Sequence, residues 1–203
     1  MKTTARGFTL IELLIVIGIL AILATTVVIV LNPAQLLAEA RDAQRIQDMN
    51  TLTSAFSLFV VSVSSASADL DGSSSSCSAN CFTHIDVDAA INLGCAARHG
   101  TKTEVSNITA TNRVVTGSGW VPVNFGLISS GAPLALLPID PSNTTTNFYS
   151  YACDNDAADK TYEVNANMES NKFASGGSND VESDSKDGGN VGTIFERGSA
   201  LTL

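Results

Sequence analysis

Residues 7–31 decide the fold: Gly7-Phe8-Thr9-Leu10-Ile11-Glu12, then LLIVIGILAILATTVVIVL over residues 13–31. From Phe8 to Leu31, 19 of 24 residues are apolar and the single charge is Glu12. As a helix this stretch is about 36 Å long, more than the roughly 30 Å hydrocarbon core of a bilayer, so it is long enough to span. Lys2 and Arg6 precede it, and after Glu12 no charge appears until Glu39. That asymmetry places the N-terminus in the cytoplasm and the larger remainder outside. An ordinary secretory signal has a shorter apolar region ending at a small-residue cleavage site, whereas this one runs on into Asn32 and Pro33.

Outside that block the chain is polar and acidic. The 203 residues carry 11 Lys and Arg against 20 Asp and Glu, a formal charge of −9. The basic residues are scattered singly, so nothing concentrates positive charge for phosphates and direct nucleic-acid binding is not expected. The length suits one modest globular domain beyond the span.

The residues Gly7-Phe8-Thr9-Leu10-Ile11-Glu12, behind a short basic leader and ahead of the apolar run, resemble the class III signal of type IV pilins and type II secretion pseudopilins. The resemblance implies that a prepilin peptidase removes residues 1–7 between Gly7 and Phe8, and that the new Phe8 amine is methylated. It also implies subunit assembly through Phe8 and Glu12. A carboxylate at the middle of a membrane helix costs about 2.5–3.5 kcal/mol, less near its end. No cation in the helix offsets that cost once Lys2 and Arg6 leave with the leader, so the Phe8 amine of a neighbouring copy is the expected partner.

The expected fold class is α+β and type IV pilin-like, with a long N-terminal helix over 8–63 on a small antiparallel sheet. Its first half, 8–31, spans the membrane; 64–203 forms the extracellular head. Asn32-Pro33 predicts a helix kink or restart at Pro33. Beyond it Leu36, Ala40, Ala43, Ile46, Met49, Leu52, Phe56, Phe59 and Val63 recur every three or four residues, an apolar stripe from which Arg41, Asp42, Arg45 and Asp48 fall away. Residues 64–80 read as a Ser-rich loop. Strands are expected at Val114–Thr116, Trp120–Phe125, Phe148–Cys153, Thr161–Ala166 and Val191–Phe195. Asp154-Asn155-Asp156 reads as a hairpin connection, and Gly117-Ser118-Gly119 as a turn before Trp120. The segments Gly119–Phe125, Ile128–Leu134, Leu137–Pro141 and Met168–Ser170 resemble a set of bacterial pilin-like proteins more loosely.

Cys77, Cys81, Cys95 and Cys153 belong to an oxidising exterior and are disulfide candidates. Of three possible pairings, Cys95 with Cys153 and Cys77 with Cys81 is favoured, because Cys153 ends a strand and Cys95 closes an irregular region. The rival is a zinc site from Cys77, Cys81, Cys95 and His99, spaced C-x3-C-x13-C-x3-H. Asp180, Glu182, Asp184 and Asp187 alternate in a Gly/Ser/Asn-rich loop and suggest calcium, although Val191 stands where an EF-hand needs a bidentate Glu; a solvated acidic loop is the alternative. No other cofactor is indicated. With His84 and His99 the only histidines and no recognisable nucleophile context, an enzyme is not expected.

Three functional readings follow. The first is a pilin, a homo-oligomer in a helical extracellular filament built on an assembly platform after residence in the inner membrane. The second is a pseudopilin of a secretion or DNA-uptake system. The third is a membrane-anchored binding module that does not polymerise.

Overall fold

The computed structural model describes residues 7–64, 69–72, 77, 79–85, 94–107, 112–155 and 160–203. Two compact units divide the chain, residues 1–37 and Ala38–Leu203. In the first, helix α1 (Leu10–Leu31) buries none of its residues. It ends at Asn32, whose φ of 39° and ψ of 75° lie in the left-handed region. Helix α2 (Pro33–Ser62) restarts at once, with the Asn32 carbonyl accepting the Gln35 and Leu36 amides at 2.9 and 3.3 Å. Proline opens a helix without cost because the first-turn N–H has no intrahelical partner. The expected kink or restart at Pro33 is therefore a restart.

In the second unit α2 packs on a five-stranded sheet in the order β2-β1-β3-β4-β5. The strands are β1 (Asn80–Thr83), β2 (Thr103–Ser106), β3 (Tyr149–Asn155), β4 (Lys160–Ala166) and β5 (Phe195–Gly198). All neighbours are antiparallel except β1 and β2, which run parallel. The architecture is α+β and pilin-like, with a long helix against a mostly antiparallel sheet.

The helix is buried along Ala38, Asp42, Arg45, Met49, Leu52, Phe56, Phe59 and Val63, alternating steps of four and three. Phe56 anchors it. Its ring stacks on Tyr151 and Tyr162 with centroids 4.8 and 4.7 Å away and meets Phe125 edge-on at 5.3 Å. A fully buried Phe contributes about 1.5–3 kcal/mol relative to an exposed one. The Tyr162 hydroxyl bonds the Ser57 hydroxyl and the Thr53 carbonyl, Tyr149 donates to Asp48 at 2.8 Å and Tyr151 to the Leu70 carbonyl at 2.9 Å, so every tyrosine tip of the aromatic layer is satisfied.

Several expectations need correction. Leu36, Ala40 and Ala43 are exposed, and Asp42 and Arg45 are buried in the frame that Met49, Leu52 and Phe56 continue. Val114–Thr116 and Trp120–Phe125 do not form strands; a lone bridge joins Thr116 to Asn124. Gly117, at φ 89°, turns the chain between them, and Pro122 has no amide to give a ladder. The last strand begins at Phe195, while β1 and β2 lie in a segment without period-two alternation. The hairpin joining β3 to β4 is present with Asn155 opposite Lys160, so Asp154 and Asn155 are strand residues; Asp156 lies outside the described residues.

The disulfides are Cys77–Cys153 and Cys81–Cys95, not the favoured pairing. The two faces of the sheet decide this. Cys81 lies opposite Ala152, so it shares a sheet face with Ala152 and not with Cys153. Cys153 points with Tyr149 and Tyr151 into the core under α2, where Cys77 meets it, whereas Cys81 and Cys95 close on the far face. Cα separations of 5.0 and 6.1 Å suit both bonds. The zinc reading falls with them, since its three thiols are all bridged. Residues 94–97 form one left-handed turn, Cys95, Ala96 and Ala97 having φ of 50°, 58° and 65°. Such residues cost about 1–2 kcal/mol each. The Cys81–Cys95 bond holds one end of that turn. Arg98, which donates to the Phe148 and Thr146 carbonyls at 2.7 and 3.2 Å, holds the other.

Candidate functional site

Two features of the helices stand out as surfaces without a covering layer. The first is the start of α1. Phe8 is 84% exposed and Leu10 82%, and every apolar side chain behind them is exposed too. Thr9 caps the helix. The Thr9 amide and hydroxyl donate to the Glu12 carboxylate at 2.8 and 2.7 Å, and the Glu12 amide donates back to Thr9 Oγ1 at 3.3 Å. Glu12 therefore has a partner within its own helix, contrary to expectation. The missed signal was local: a threonine followed three residues later by glutamate is the capping-box spacing. The reciprocal bonds satisfy amides that a helix start leaves open, and the carboxylate sits at the positive end of the helix dipole.

The second feature is the outer face of α2. Its charged residues are Glu39, Arg41, Asp42, Arg45 and Asp48, and all five are engaged with the head. Glu39 meets Lys172 at 3.0 Å, Arg41 meets Glu169, and Asp48 accepts from Tyr149. Arg45 forms a fork on Asp140, Nε to Oδ2 at 2.6 Å and Nη2 to Oδ1 at 2.8 Å; it also reaches Asp42 at 2.8 Å and Glu169. Asp42 in turn accepts the Glu169 and Ser170 amides at 2.9 and 2.8 Å. Burial disfavours the Arg45 cation, but the bonds and charge of Asp140, Glu169 and Asp42 outweigh it and raise its pKa. Glu169 is held down to about 2, chiefly by the bond from Arg41. The exposed stripe of the same helix is Leu37, Ala40, Gln44, Gln47, Ser54, Leu58 and Val61, with no charge. An ordinary surface helix turns its charges outward, whereas here they turn toward the head and the outward stripe carries none.

The four acids of the suggested calcium loop are not brought to one point. Asp180 accepts the Gly176, Glu182 and Ser183 amides and the Ser183 hydroxyl, which holds it down to about 2. Glu182 is buried and accepts the Met168 and Ser175 amides; Asp187 accepts those of Gly189 and Glu196. Asp184 is exposed. Among the described residues, no three His, Cys, Asp or Glu side chains are grouped to share an ion. The acids fasten the loop by accepting its backbone amides.

On the far face of the sheet, Ser150 Oγ lies 2.9 Å from His99 Nε2, and His99 Nδ1 lies 3.4 Å from Glu163. Burial lowers the His99 pKa. All three side chains are enclosed, Ser150 and Glu163 at 0% exposure, so no substrate reaches the hydroxyl and the trio ties β3 and β4 to the 94–99 segment.

Residues 2–28 match the family model of the prokaryotic N-terminal methylation motif, the class III signal of type IV pilins and pseudopilins. Neither a curated protein nor a solved structure matches the chain. The matched residues contain Gly7, Phe8, Thr9 and Glu12, the whole exposed start of α1.

Proposed function

We propose that this chain is the structural subunit of a type IV pilus-like filament. Prepilin peptidase cuts between Gly7 and Phe8, the Phe8 amine is methylated, and residues 8–31 hold the mature chain in the inner membrane with the N-terminus cytoplasmic. An assembly platform then draws subunits out so that their helices pack together and the heads face outward. One observation carries the reading: behind the matched signal, both helices offer uncharged, uncovered faces, and the sole charge in the span is Glu12 at its start.

In lipid, α1 meets a solvent as apolar as itself; outside, that surface needs other helices. The charge-free stripe of α2 needs the same covering once it leaves the bilayer surface, and copies of the same helix supply it. Thr9 satisfies Glu12 while the subunit waits in the membrane. On assembly the Phe8 amine of a neighbour adds the positive charge that Thr9 lacks, favouring one axial register.

The test is Glu12→Ala in cells, with the mature N-terminus read by mass spectrometry and surface fibres recovered by shearing. Processing and membrane insertion should persist while fibres disappear. Normal fibres from the variant would refute the register role. Fibre length separates a pilus from a pseudopilin, which shares the signal: shed micrometre fibres support the first, short periplasmic ones the second.

A further inference from the structure

The open positive charge of the head gathers at one place. Among the described residues, the cations that are exposed and have no carboxylate partner are Lys186 and Arg197, and both border a cleft of about 310 Å³. Ile46 of α2, Val181 and Phe195 of β5 give the cleft an apolar lining. Asn50 of α2 holds Arg197 there, its Oδ1 accepting from Nη2 at 3.1 Å, and the other guanidinium N–H groups have no partner among the described residues. The Lys186 ammonium has none either. Asp180 and Asp187 also line the cleft, but every oxygen of both already accepts a backbone amide. Asp184, two residues before Lys186, forms no ion pair with it.

The other cations of the described head are engaged. Arg41, Arg45 and Lys172 meet carboxylates, Arg98, Lys102 and Arg113 donate to backbone carbonyls, and the Lys160 charge acts on Asp69. Removal of Lys2 and Arg6 with the leader takes the formal charge from −9 to −11, so neighbouring heads in a fibre repel unless a cation stands at their contact. The cleft opens at the margin of the uncharged α2 stripe, where Ile46 and Asn50 are half-buried beside exposed Gln47 and Ser54. A copy that covers the stripe brings its own head alongside the cleft. We propose that Lys186 and Arg197 receive a carboxylate from the head of a second copy, a contact that rests on the filament reading. The apolar lining lowers the local dielectric and so strengthens the pair. Cation cleft and acidic surface are different patches, so the contact is head-to-tail and repeats along a helical fibre.

The test treats fibres sheared from cells with a water-soluble carbodiimide, which joins a lysine amine to a carboxylate in contact with it. Subunits should link into covalent dimers and longer ladders on a denaturing gel, with Lys186 in the linked peptides; the Lys172–Glu39 pair is the link expected within one copy. Lys186→Arg should keep the fibres and lose that ladder. Lys186→Glu combined with Arg197→Glu should lower fibre recovery about tenfold or more, because like charges then face each other, while processing and thermal unfolding in micelles stay as in the parent. The inference is overturned if no ladder forms, if the ladder runs through Lys102, Lys160 or Lys172 without Lys186, if Lys186 links to a different protein, or if the folded double variant yields fibres as the parent does. Normal fibres from the double variant with none from Glu12→Ala refute this contact alone; a parent without fibres refutes the filament reading as well.

Discussion

Arg45→Ala removes the one fully buried cation from a cluster of three carboxylates. The Arg45, Asp42 and Asp140 side chains are 0% exposed and that of Glu169 is 15% exposed. The substitution deletes the fork on Asp140 and the bonds to Asp42, Glu169 and Ser142, leaving Arg41, 37% exposed, as the cation in contact with the cluster. Removing one member of a buried pair typically costs about 3–5 kcal/mol, because the remaining charge stays buried. The amides of Ser142 and Asn143 on Asp140, and of Glu169 and Ser170 on Asp42, persist and hold the loss to that range. At roughly 2–4 °C per kcal/mol for a chain of this size, Tm should fall by about 6–20 °C. Arg41→Ala, at a half-exposed pair, should cost about 1 kcal/mol or less. The assay is thermal unfolding of the full chain in micelles, followed by Trp120 fluorescence. Adding Asp140→Asn to Arg45→Ala should recover part of the loss, since it removes a stranded charge. If Arg45→Ala costs no more than Arg41→Ala, or the double variant is strictly additive, the cluster does not anchor the helix as argued.

Other outcomes follow from the same geometry. Stability should be greatest near pH 4.5. Glu169, at about 2 when folded against an ordinary 4.5, contributes stability that is full above pH 4.5 and lost as pH falls toward 2. Glu196 is pushed up to about 7, chiefly by burial, so the folded state holds a proton the unfolded state releases; stability then declines from pH 4.5 to 7 and levels off above. A Tm that climbs steadily to pH 8 contradicts the second limb, which Glu196→Gln should abolish. Replacing Cys77 and Cys153 together by serine opens a closure of 76 residues and should cost about 4.5 kcal/mol. The Cys81 and Cys95 pair closes 14 residues and should cost about 3 kcal/mol, both read by urea denaturation. Intact mass in denaturant should show four hydrogens fewer than the reduced chain. Chelating divalent cations should leave Tm unchanged, because Asp180, Glu182 and Asp187 already accept backbone amides; a fall of several degrees would assign them a cation.

Much of this molecule is legible along the chain because its physics is local or set by one solvent. The apolar block of residues 8–31 needs only its own composition to declare a helix long and apolar enough to span a bilayer, and Pro33 needs only its missing amide to declare a kink or a restart. Thr9 and Glu12 were equally readable, their three-residue spacing being enough to predict the cap. The strands over Phe148–Cys153 and Thr161–Ala166 followed from alternation and β-branched or aromatic content.

What tertiary structure decided depends on partners far away in sequence. Asp42 and Arg45 look solvent-facing until Asp140 and Glu169, roughly a hundred residues later, supply charges that make their burial tolerable. The cysteine pairing looks open until the register sets Cys81 opposite Ala152 and so turns Cys81 and Cys153 to opposite faces of the sheet. The parallel pairing of β1 and β2 has the same origin. A local spacing states what a residue prefers, but a buried charge or a cross-strand position is settled only by what the rest of the fold brings to face it.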